Sequence, residues 1–159
     1  MNAITSKLGA WLLGALFLGT SACGSNNLNN GTIDAEFAPY VERFQQMAMN
    51  SNVAVSMNSL SVIFGQPSGA RQNAVCLTHT LSFEKKILIR TSTWEEMDEL
   101  AREALIFHEL GHCLLGRPHT SAVDAHGIPL SMMSPWTMSS STYSARREDY
   151  LSELFHRQY

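Results

Sequence analysis

His108 and His112 stand four residues apart in the stretch His108-Glu109-Leu110-Gly111-His112. On a helix this spacing sends both imidazoles off one face, about 5–6 Å apart at Cβ, close enough to share one zinc ion. Glu109 lies between them, turned by about 100° around the helix, so its carboxylate flanks the metal and can take a proton from a water that the metal holds. That is hydrolytic chemistry. A bare H-E-x-x-H pattern occurs by chance in many chains, so its weight depends on the elements around it.

Those elements are legible. Thr93-Trp94-Glu95-Glu96 matches the S/T-x-x-E capping box, and Asp98 and Glu99 add negative charge near a helix N-terminus. A helix is therefore expected to start near Thr93, with Met97, Ala101, Ala104, Leu105 and Leu115 on the histidine face, which is expected to be internal. Glu99, Arg102 and Glu103 fall elsewhere on the helix. Past Ile106 the pattern is apolar nearly all round, which suits the centre of a domain. Gly111 costs about 1 kcal/mol of helix propensity, tolerable where a backbone or substrate comes close. Gly116 can take the left-handed conformation that ends a helix, and Pro118 cannot continue one.

The histidine segment, Gly116-Arg117-Pro118-His119 and Ser131-Met132-Met133-Ser134-Pro135 together resemble the metzincin zinc peptidases, most closely the matrixin branch, whose pattern is HExxHxxGxxH followed by a methionine turn. The resemblance covers roughly the C-terminal third of the chain, and departs from the family in placing three residues, not two, between His112 and the glycine. It implies that His119 is the third zinc ligand, that Met133 forms an apolar floor beneath the metal, and that Glu109 is the general base in hydrolysis of a protein or peptide substrate. His126 and Asp124 compete for the third ligand position, and a thermolysin-like scheme would use Glu148 or Glu153 there. Tyr143 reads as a packed aromatic. His79 and His156 read as structural or surface residues.

Elsewhere, residues 34–50 carry Phe37, Val41, Phe44 and Met47 at helical spacing, with Asp34 as the expected N-cap. Residues 53–64 alternate as a strand with a change of phase, hence a bulge or tight turn, near Asn58-Ser59. Residues 73–81 and 84–90 read as two further strands. After His119 the chain reads as loop to Met138, and residues 144–157 as a closing helix. Periodicity alone gives only an α+β fold, and the small mixed sheet expected here belongs to the metzincin-like reading. The family resemblance implies the metzincin arrangement of an N-terminal helix, a central active-site helix, a methionine turn and a C-terminal helix.

The 159-residue chain has a formal charge of −3 and no strong basic patch, which suits one small domain and argues against a nucleic-acid partner. Residues 8–19 are an apolar run too short for a permanent membrane span, which needs about 20 residues. Ser21-Ala22-Cys23 behind it resembles a bacterial lipobox, which implies a signal peptide over 1–22, lipid on Cys23 and export. An ordinary secretory signal is the alternative. Residues 23–33, rich in Asn, Ser and Gly, read as the lipidated cysteine and a tether, and 34–159 as the peptidase-like domain. Gly24, where inner-membrane lipoproteins of the kind often have Asp, points to the outer membrane. With Cys23 lipidated, Cys76 and Cys113 remain as an even pair in an oxidising compartment. Cys113 adjoins His112 but is rotated about 100° from it towards the back of the helix, so a Cys76–Cys113 disulfide is favoured over zinc ligation, with two buried thiols as the alternative. Two functions stay open: a zinc-dependent, membrane-anchored peptidase, or an inactive zinc-binding lipoprotein with a partner-binding role.

Overall fold

Strand β1 (Leu60–Phe64) buries Leu60 and Val62, and β3 (Lys85–Ile89) buries Ile87 and Ile89, the period of two expected of a sheet with one covered face. In the computed structural model, which describes residues 31–156, β1 and β3 run parallel and β2 (Ala74–Thr78) pairs antiparallel with β3, in the order β1-β3-β2. Among the described residues the fold is α+β with a small mixed sheet and five helices.

The expected strand over residues 53–57 does not form. Asn52 and Ser59 both adopt positive φ, 57° and 58°, and the Leu60 amide turns back onto the Met57 carbonyl at 3.2 Å, so the phase change is a tight turn and pairing starts only at Leu60. The place beside β1 is taken instead by residues 32–34: Val62 donates its amide to the Thr32 carbonyl at 2.8 Å, and Asp34 to the Val62 carbonyl at 3.0 Å. The ordered sheet edge thus begins within the stretch read as tether.

Helix α1 (Ala38–Asn50) starts later than expected, with a proline in its first turn. Asp34 does not cap it; its carboxylate accepts the Phe64 amide at 3.0 Å and closes the end of β1. The expected helix from Thr93 is two helices. α2 (Thr91–Glu96) ends at Met97, which is extended, and α3 (Glu99–Leu115) begins afresh with Asp98 accepting the Ala101 amide at 2.9 Å. The Thr93 box is therefore not the cap of the histidine helix. Asp98 captures the orphan amide because Met97 breaks the ladder one residue earlier. Arg102 spans the junction, donating twice to the Trp94 carbonyl, at 3.1 and 3.0 Å, from a position over the Trp94 ring.

The inward face of α3 carries Ile106, Phe107, Leu110 and Cys113. Phe44 of α1 meets Phe107 edge-on with centroids 5.2 Å apart, and its other side meets Phe155 at 5.0 Å. Short α4 (Ser140–Ala145), which periodicity does not announce, is capped by Ser139 and leads into α5 (Arg147–His156), the expected closing helix. The largest departure from the pattern is Glu103. It is 1% exposed and bound by Arg43, Arg147 and Tyr143, so one carboxylate on α3 holds α1, α4 and α5 together.

Cys76 and Cys113 form a disulfide that ties β2 to α3. The bond closes a loop of 37 residues, a length for which loss of the cross-link costs about 3–4 kcal/mol. Urea unfolding with and without reductant should show a drop in unfolding free energy of that size, and an unchanged value would mean that packing alone joins the two elements. Among the described residues no helix is long and apolar enough to cross a membrane.

Candidate metal centre

His108 and His112 leave α3 one turn apart, and their Nε2 atoms are 3.0 Å from each other. The helix ends at Leu115, where Gly116 takes φ +64° and the Arg117 amide bonds back to the Gly111 carbonyl at 3.0 Å. The residue that is extra relative to the metzincin spacing is thus absorbed as one more helical position. The reversed chain then brings His119 Nε2 to 3.1 Å from His108 Nε2 and 3.0 Å from His112 Nε2. Among the described residues, these three form the group whose donor atoms converge as metal ligands do.

Their tautomers follow from their other contacts. His108 Nδ1 faces the Met132 carbonyl at 2.9 Å, and His112 Nδ1 faces the Arg117 carbonyl. A carbonyl only accepts, so both Nδ1 atoms carry the proton and both Nε2 atoms present lone pairs. Burial holds the His108 pKa down at about 4, with His112 and His119 adding to the effect, and burial likewise lowers His112. Neutral imidazoles whose lone pairs face each other at this distance repel unless a cation lies among them. Three nitrogens each about 2.0–2.1 Å from a tetrahedral zinc ion are about 3.3 Å apart. The donor set, tautomers and spacing therefore fit a dication.

The loop from Ser131 to Ser134 fixes this arrangement. Met132 supplies the carbonyl for His108, and the Met133 carbonyl accepts the Thr120 amide at 2.9 Å, which anchors the backbone next to His119. The Met133 side chain is fully buried against Gly111, where an added Cβ would stand 2.6 Å from its sulfur and 3.2 Å from a Leu154 methyl. Gly111 is thus the residue that lets the methionine loop lie against the helix.

Arg117 is a positioning residue that sequence reasoning passed over. It is 5% exposed, donates to the Glu153 and Leu154 carbonyls at 3.0 and 2.7 Å, and pairs with the Glu153 carboxylate, while its own carbonyl orients His112. Glu153 also accepts the Ser131 hydroxyl at 2.8 Å, and that hydroxyl accepts the Met133 amide. One ion pair between α5 and the helix exit therefore ties the methionine loop to the His112 carbonyl partner. A basic residue two positions before His119 and an acidic one on the last helix were the available signals. Arg117→Met should lower zinc affinity about 10–100-fold, the range for lost outer-shell partners, in a chelator competition. Unchanged affinity would show that the helix cap alone sets the ring.

The rival ligands are engaged elsewhere. Asp124 accepts the amides of His126 and Ile128 at 2.8 and 3.0 Å and pairs with Arg146, which together hold its carboxyl down at about 2. His126 lies outside the histidine group, as does Glu153, and Glu148, His79 and His156 are exposed. Tyr143 is fully buried, donating its hydroxyl to Glu103 at 2.6 Å, and is a packed aromatic as expected. Cys113 is in the disulfide. Cys23 and residues 1–22 lie outside the described residues, so the lipobox reading has no structural counterpart here.

Glu109 is 5% exposed beside β2, and burial lifts its carboxyl to about 7, opposed by the Cys76 amide. A neighbouring dication favours the carboxylate form and lowers that value. Contrary to the expected internal face, the side of α3 bearing Ala101, Leu105, His108 and His112 lines an open cleft of about 520 Å³. Its other walls are β2, around Val75 and Cys76, and the segment from Ser134 to Met138 with half-exposed Trp136. No protein-family model, curated protein or solved structure matches this chain.

Proposed function

We propose that this chain is a zinc-dependent endopeptidase of the metzincin type, exported and held to a membrane through lipid on Cys23. The observation that carries the catalytic part is the convergence of three histidine Nε2 atoms within 3.1 Å, next to a buried glutamate in an open cleft. A purely structural zinc site has no need of that carboxylate, nor of an open approach.

When bound, zinc supplies a Lewis acid that polarises a carbonyl and acidifies water. His108, His112 and His119 hold it without adding charge of their own, so its full positive charge is available to the reaction. Glu109, as carboxylate, takes a proton from water at its oxygen and passes it to the departing amine. β2 is the outer strand of the sheet and lines the cleft, so its free edge can pair with an extended peptide and set the scissile bond across the helix. The Cys76 amide steadies Glu109 from the same strand.

The test joins metal analysis of the purified chain to a peptide-library cleavage assay. Stoichiometric zinc with cleavage that stops on chelation and returns with zinc is the expected result. Zinc without any cleavage would leave a metal-binding lipoprotein, and no zinc would overturn the reading.

A further inference from the structure

The turn between β2 and β3 projects two large apolar side chains into solvent. Leu81 is 98% exposed and Phe83 79%, and Leu77 behind them is 39% exposed. Single exposed apolar residues are ordinary, but two at one hairpin tip concentrate apolar area on a projection that nothing in the domain covers. Phe83 is moreover held at φ 55°, an uncommon conformation for a bulky residue. Lys85 and the exposed Lys86 follow at once, with Glu84 between them and the tip.

The chain enters the domain at the same end of the sheet. A Cβ on Gly31 would stand 1.9 Å from the Leu60 carbonyl oxygen, and Ile33 bridges Val62 in parallel. Leu60 is in register with Lys85, and β1 and β3 run parallel, so both strands start at the tip end. Cys23 and Gly31 are eight residue steps apart, a stretch that reaches about 26–29 Å at most. A lipid on Cys23 therefore keeps this end of the sheet near the bilayer.

We propose that the β2–β3 tip is a second membrane contact, in which Leu81 and Phe83 enter the lipid interface while Lys85 and Lys86 lie at the headgroup phosphates. The proposal rests on the lipid-anchor reading for its location and not on the zinc chemistry. An acyl anchor limits distance but leaves orientation free, and a second contact fixes it. Thr78 borders both the tip and the cleft, so β2 leads directly from the membrane contact to the metal centre and sets the height of the cleft above the lipid.

The full chain, purified with its lipid, is reconstituted into phosphatidylethanolamine–phosphatidylglycerol vesicles with brominated acyl chains, as the parent and as Phe83→Trp. The emission added by Phe83→Trp should lose about half its intensity or more, as expected for a ring buried ~5–10 Å into the interface. No quenching of that added emission overturns the proposal. Fatty-acid labelling of Cys23 is read separately. If label is absent but the secreted chain, added to the same vesicles, is still quenched at position 83, the tip contact stands and the anchor reading falls. Leu81→Ser with Phe83→Ser should leave peptide cleavage in detergent unchanged, and a changed cleavage rate there would make the tip a substrate contact and overturn the proposal.

Discussion

Glu109→Gln is expected to keep a full complement of zinc and to lose peptide hydrolysis by about 10²–10⁴-fold, the usual contribution of a positioned general base. The amide has nearly the shape of the carboxylate but cannot take the proton, and it leaves the three histidines untouched. His119→Ala should behave oppositely and lose the metal, because its Nε2 completes the triangle with His108 and His112. Metal analysis and turnover measured on the same preparations separate the two outcomes. Should His119→Ala keep its zinc and its activity while His126→Ala loses both, the ligand set is misassigned.

Glu103→Ala should destabilise the fold strongly, although it lies outside the metal site. Removing one partner of a buried, hydrogen-bonded charge cluster costs about 3–5 kcal/mol. The lower end of that range applies here, because the Arg43 and Arg147 side chains remain 37% and 32% exposed and regain water, while the buried Tyr143 hydroxyl loses its acceptor. The same carboxylate makes stability depend on acid. Burial by itself would raise its pKa, but hydrogen bonds from Arg147, Tyr143 and Arg43 outweigh that and hold it below its ordinary value of 4.5. A group with a depressed folded pKa contributes fully above its unfolded value and loses that contribution as the pH falls through the folded one. Urea unfolding of parent and Glu103→Gln should therefore differ most near neutrality, and the difference should shrink as the pH falls below 4.5 and vanish below the folded value. A gap that stays constant with pH would assign the effect to packing.

The histidine pair, the helix that carries it and the disulfide partners follow from local rules, because i,i+4 spacing and a 100° rotation per residue act within one turn of chain. The sheet strands from Leu60 onward are likewise visible in their alternation. What escaped detection depends on distant partners. Asp34 has the side chain of an N-cap, yet the Phe64 amide 30 residues away claims it. Thr93 begins a capping-box pattern, but the helix restarts at Asp98 after Met97 turns extended. Glu103 and Arg117 look like surface charges in any window of sequence; only the packing of α1, α4 and α5 around α3 encloses them. The third histidine was legible only through resemblance, since its approach to the other two depends on a left-handed Gly116 and on a loop carbonyl at Met133.

The disulfide between β2 and α3 has a consequence in time. In a reducing cytoplasm this bond does not persist, so a newly made chain has its cleft wall and its histidine helix joined by packing alone. If the chain is exported as proposed, oxidation outside the cytoplasm locks the strand whose amide steadies Glu109 against the helix that bears it. On the proposed reading of the chain as an exported peptidase, the cleft acquires its cross-linked geometry only beyond the cytoplasmic membrane.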